Sequence, residues 1–164
     1  MSIRAGVLTL SDRSSRGEYE DRSGPAIKDG LASLDMDWVK TLILPDDELL
    51  ITETLRKWCD QGEVDLILTT GGTGPAPRDR TPEATRAILD FEIPGIPEAM
   101  RYATSDKVPT SVLTRAVAGV KGNTVIINLP GSPKAVRENI EVLLPILEHL
   151  VAKVKGDPGE CGGS

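Results

Sequence analysis

Short apolar runs alternate with stretches whose apolar residues recur every three or four positions. RAGVLTLS (4–11) and DWVKTLIL (37–44) predict strands. VDLILTT (64–70) is unbroken, as expected of a strand covered on both faces of a parallel sheet. A helix is predicted from about Pro25 to Leu34, with Ser23 in its cap region. Pro45, Asp46 and Asp47 open another, whose Ile51, Leu55, Trp58 and Cys59 share one face. TPEATRAILDF (81–91) predicts a helix with Thr81 as N-cap and Pro82 in first position, and IPEAMRYATS (96–105) suggests one more. Within 112–129, two strand-like runs meet at Lys121, Gly122 and Asn123, a hairpin signal. The last helix carries a stripe from Val136 through Ile140, Leu143, Leu147 and Val151 to Val154, ends at Gly156, and should kink at Pro145.

Strands alternating with helices predict an α/β sandwich with a mixed, mainly parallel sheet. Ligands of such sheets sit beyond the carboxyl ends of the strands. The loops to examine are therefore 11–24, 45–47, 71–80 and 130–133.

The chain's 164 residues fit one domain over 1–155, followed by a tail over 156–164 expected to be flexible. Only 3% of residues are aromatic, so the core must rest on Val, Ile, Leu and Ala. No apolar run approaches the ~20 residues of a membrane helix, and the N-terminus has no signal-peptide layout, so a cytoplasmic protein is expected. A net charge of −6 argues against nucleic acid as a partner. Cys59, Cys161 and the single His149 have no zinc spacing; His149 is expected at the surface, and a participating metal should be a hard ion such as Mg²⁺.

Gly71, Gly72 and Gly74 follow the third strand and allow close backbone approach, with or without a phosphate in the turn. The turn lacks the lysine of a P-loop and is not a dinucleotide fingerprint. Asp79 either assists the next helix or, between Arg78 and Arg80, serves a Mg²⁺–phosphate site. One of Asp46 and Asp47 suffices as a helix cap, leaving the other free. Ser11, Asp12 and the arginines of the first loop could read an anion, or the loop could be plain surface. Ser132 is a sound N-cap for the last helix, where Gly131 and Ser132 also present amides to an anion.

Taken in order, SDR (11–13), DRSGP (21–25), PDD (45–47), TTGGTGPAPRDRTPEAT (69–85), LTRAVAGVKG (113–122) and NLPGSPKAV (128–136) resemble the MogA-type molybdopterin adenylyltransferases, over about residues 4–155. The resemblance implies a three-layer α/β/α sandwich of the MoaB/Mog kind, often trimeric. It implies transfer of AMP from Mg²⁺-bound ATP to the terminal phosphate of molybdopterin, with the product passed to a molybdenum insertase. By motif, the catalytic, metal-holding aspartates fall on Asp46 and Asp79. Pterin and phosphate contacts fall on Ser11, Asp12, Gly71, Gly72, Thr73, Gly74, Gly131 and Ser132, with Arg78 on phosphate oxygens. Thr114 stands where the family often has serine, and Arg80 where it often has an apolar residue. The alternatives are a non-catalytic MoaB-like binder or scaffold, and a CinA-like enzyme, for whose additional domain the chain has no room.

Overall fold

The computed structural model describes residues 2–159. Its strands are β1 (Ile3–Leu10), β2 (Met36–Leu44), β3 (Leu66–Thr70), β4 (Phe91–Glu92), β5 (Ala118–Lys121) and β6 (Thr124–Leu129). Its helices are α1 (Asp12–Ser15), α2 (Ser23–Gly30), α3 (Glu48–Asp60), α4 (Thr81–Arg86), α5 (Gly95–Ser105), α6 (Pro133–Leu143) and α7 (Leu147–Val154). The sheet order is β2-β1-β3-β6-β5-β4. Strands β2, β1, β3 and β6 run parallel, while β5 is antiparallel to both β6 and β4, so the mixed, mainly parallel sheet is borne out.

Alternation along the buried strands assigns the layers. Val7, Leu66, Leu68, Ile127 and Leu129 face one side and pack on Ile27, Met100, Val136, Ile140, Leu147 and Val151 of α2, α5, α6 and α7. Leu8, Leu10, Ile67 and Ile126 face the other and pack on Ile51, Leu55 and Trp58 of α3 and Ala84 of α4. Two apolar helix layers over a two-sided sheet make the expected three-layer sandwich. The chain winds outward from β1 to β2 in one direction and to β3 in the other. The switch between β1 and β3 opens a crevice at their carboxyl ends.

Several expectations need correction. The long first loop holds the one-turn helix α1, capped by the Ser11 hydroxyl, which accepts from the Ser14 amide at 3.1 Å. Helix α2 starts at Ser23 rather than Pro25, because the Asp21 carboxylate accepts from the Ser23 and Gly24 amides, both at 3.1 Å. Thr81 is not a cap but the first helical residue, with its hydroxyl donating to the Gly71 carbonyl at 3.0 Å. Helix α4 is short, and the Phe91 assigned to it lies in the edge strand β4. The first arm of the hairpin shrinks to β5, because a 3-10 turn occupies Pro109–Leu113. Around Pro145 the last helix does not merely kink but divides into α6 and α7. His149 is exposed, as expected. Cys161 and residues 160–164 of the tail lie outside the described residues.

Candidate active site

Asp47 caps α3, its carboxylate accepting from the Leu50 amide at 2.9 Å, so Asp46 is the aspartate left over. Asp46 turns toward the loop after β1. Its Oδ2 accepts from the Asp12 amide at 3.2 Å, and its own amide donates to Asp12 Oδ1 at 3.0 Å. Arg78 grips the same Asp12 carboxylate with two bonds, 2.9 and 2.8 Å. The Arg78 guanidinium holds the Asp12 carboxyl below its usual range. Burial pushes the Asp46 carboxyl up, and the charges of Asp12 and Asp79 add to that. Asp46 Oδ1 is buried and accepts no hydrogen bond among the described residues.

The glycine turn answers to these carboxylates. Gly72 sits at φ +65°, and a Cβ there would lie 3.1 Å from Asp46 Oδ1 and run into the Thr81 hydroxyl. A Cβ on Gly74 would lie 2.8 Å from Asp79 Oδ2. The turn is bare because Gly72 lies at positive φ against Thr81 and Asp46, and Gly74 lies against the Asp79 carboxylate. Asp79 does not cap α4; its Oδ2 accepts from the Ala76 amide at 3.1 Å, and its amide donates to the Ala76 carbonyl at 2.9 Å. Its neighbours turn elsewhere, Arg78 to Asp12 and Arg80 to Glu48.

Two clefts flank the turn. One, of about 450 Å³, is lined by Ser11, Asp46, Gly71 and Gly72. The other, of about 420 Å³, is lined by Thr73 and Gly74 with Met100, Leu113 and Thr114. Gly131 and Ser132 line both, at the head of α6. Ser132 caps that helix by accepting from the Ala135 amide at 3.2 Å, and Ser23 ties the loop down by donating to the Gly131 carbonyl at 2.6 Å. The structure thus gathers Ser11, Asp12, Asp46, Gly71, Gly72, Gly131 and Ser132 around the first cleft and its rim. Thr73 and Gly74 belong to the second, and Arg78 reaches the group through Asp12. Among the described residues, no three of His, Cys, Asp and Glu cluster as a metal-binding group.

Sequence reasoning passed over Asp21 and Arg115. Asp21 stands in the quoted DRSGP, and its Oδ2 accepts from the Thr9 hydroxyl at 3.0 Å. Arg115 stands in LTRAVAGVKG, and nothing local distinguishes it from a surface arginine. Its amide donates to the Thr73 carbonyl at 2.8 Å, its Nε to the Gly74 carbonyl at 2.9 Å, and its terminal nitrogens to the Asp79 carbonyl at 2.6 Å and to Glu83.

Fold and site together define an α/β protein with a carboxylate-bearing crevice at the switch point of its sheet. Within that class the chain belongs to the family described as "Probable molybdopterin binding domain", whose model matches residues 6–149. It is 43% identical over 158 residues to a molybdopterin adenylyltransferase of Helicobacter pylori J99, covering 95% of this chain and 90% of that protein. The Escherichia coli K12 protein of the same name is 42% identical over 142 residues, covering 85% and 73%. A solved structure from Thermus thermophilus, described as the molybdopterin biosynthesis enzyme MoaB, superposes with TM-score 0.90 at 49% identity, covering 96% of this chain and 99% of that one. The resemblance to MoaB and Mog proteins is borne out.

Proposed function

We propose that this protein is a molybdopterin adenylyltransferase of molybdenum cofactor biosynthesis. An oxygen of the terminal phosphate of molybdopterin attacks the α-phosphorus of ATP. A phosphorus–oxygen bond forms there as the bond to the β-phosphate breaks, and its electron pair leaves with pyrophosphate. The attacking group is already an anion, so the step needs no histidine or cysteine base. What the protein must supply is alignment of two anions and neutralisation of charge on the departing pyrophosphate.

The observation that carries this reading is Asp46 Oδ1, buried and without a hydrogen-bond partner among the described residues, on a residue that lines the first cleft. A carboxylate in that state fits a hard cation. Asp46 and Asp79 would hold Mg²⁺. Bound there, the ion would supply positive charge to offset that of the phosphates. The chain's own residues do the rest: the head of α6 offers amides to a phosphate, and Asp12 keeps Asp46 in place through paired backbone bonds.

The assembly proposed with this activity is a homotrimer in the cytoplasm, passing its product to a molybdenum insertase. Exposed Leu42, Ile43 and Leu49, on β2 and early α3, support a subunit contact. No described helix is long and apolar enough to cross a membrane.

Pyrophosphate release from ATP and Mg²⁺, with and without molybdopterin, tests the reading on the wild type and on Asp46→Asn and Asp79→Asn. Release that requires molybdopterin and falls about 100-fold or more in each variant is expected. A protein that binds molybdopterin but releases no pyrophosphate is a binder or scaffold instead.

A further inference from the structure

We infer that Arg115 is the positioning residue of the Asp79 loop. The segment from Gly74 to Asp79 is a closed turn, held internally by the paired bonds between Ala76 and Asp79. Arg115 closes it from outside. Its Nε donates to the carbonyl that opens the turn, Gly74, and a terminal nitrogen to the carbonyl that ends it, Asp79. The remaining terminal nitrogen is anchored on Glu83, in the first turn of α4, and the Arg115 amide holds Thr73 just before the loop. One planar group therefore spans both ends of the loop and fixes its distance from α4.

Only a guanidinium has the fork for this. Lysine would keep the charge but could not reach two carbonyls and a carboxylate in one plane. Arg115 itself is set by its surroundings: the Val117 amide donates to Asn128 Oδ1 at 3.1 Å, joining the segment to the buried carboxyl end of β6. Arg115 does not bond the Asp79 carboxylate. It holds the backbone that aims that carboxylate beside Gly74.

The test uses Arg115→Lys and Arg115→Met in the full chain, with two readouts. Limited trypsin digestion reads the loop, because the Arg80–Thr81 bond follows directly on it and Thr81 is fully buried. Cleavage after Arg80 is expected at least tenfold faster in both variants, with cleavage after Arg56 and Lys57 of α3 at the wild-type rate. The second readout is pyrophosphate release, and it rests on the adenylyl-transfer reading above. There kcat should fall at least tenfold in both variants, with KM for molybdopterin within threefold. Unchanged cleavage after Arg80 overturns the inference, as does faster cleavage with kcat intact, or accelerated cleavage everywhere. A wild type that releases no pyrophosphate sinks the adenylyl-transfer reading alone, and the digestion still decides whether Arg115 holds the loop.

Discussion

Asp12 and Asp46 each donate a backbone amide to the other's carboxylate, at 3.2 and 3.0 Å, across 34 residues of sequence. The two aspartates would repel as free carboxylates. Arg78 neutralises Asp12, and the two amides give each carboxylate a partner, so one buried oxygen of Asp46 is left without one among the described residues.

The Asp46→Asn variant should separate stability from activity. Burial raises the Asp46 carboxyl above its unfolded value, so the ionised group costs stability at neutral pH, and what stability it contributes is lost as pH rises through the folded pKa. The variant is expected to melt at or above the wild-type temperature near pH 7 while pyrophosphate release collapses. Calorimetry and the release assay check both halves. In the wild type, the acid limb of activity should lie above the ordinary carboxylate range.

Arg78→Met removes the cation that holds Asp12 low. The Asp12 carboxyl should return toward its ordinary value and the Asp46 carboxyl should rise further, since Arg78 also favours its ionised form. Carbon-detected NMR titration of the carboxyl groups would read both shifts. Activity at pH 7 should drop about tenfold, with a steeper loss on the acid side as Asp46 takes up its proton.

Gly72→Ala and Gly74→Ala should fail differently. Gly72 is at positive φ with Asp46 and Thr81 against it, so alanine there should cost about 1–2 kcal/mol and displace Asp46. Gly74 is not among the positive-φ glycines, so alanine there strains only the contact with Asp79. Denaturant unfolding should show a clear loss for the first and little for the second, with pyrophosphate release impaired at least tenfold in both. A fully active Gly74→Ala would mean that Asp79 need not lie where it is found.

Away from the site, Asp65 is buried beneath Arg4 at 2.7 Å and Lys155 at 3.2 Å. Burial pushes its carboxyl up, but the bonds from Arg4 and Lys155 outweigh that and leave it below the usual range. Its contribution is therefore present above the unfolded pKa and is lost as pH falls through the lower, folded one. Asp65→Asn should destabilise by about 2 kcal/mol at pH 7 and by little in acid, which unfolding curves at the two pH values would show.

The fold was legible because its signals are local. The unbroken run ending in LILTT and the apolar run in TVIINL follow from strands buried on both faces, and the 3.6-residue stripe places α6 and α7. The errors fall where tertiary contacts override local chemistry. Thr81 looks like a cap, yet its hydroxyl is drawn to the Gly71 carbonyl. Phe91 reads as helical, yet it pairs with Val120 at the sheet edge.

By itself the sequence determined the main alternation of strands and helices, the loops that meet at the crevice, and the aspartates and glycines available there. These depend on spacing and on neighbouring residues. Only the tertiary structure decided that Asp46 rather than Asp47 is free, that Arg78 holds Asp12 across 66 residues, and that Arg115 holds the Asp79 carbonyl across 36. Such pairings are set by strand register and by which ends of the sheet meet. A charged side chain carries no local mark of the partner that folding will bring to it.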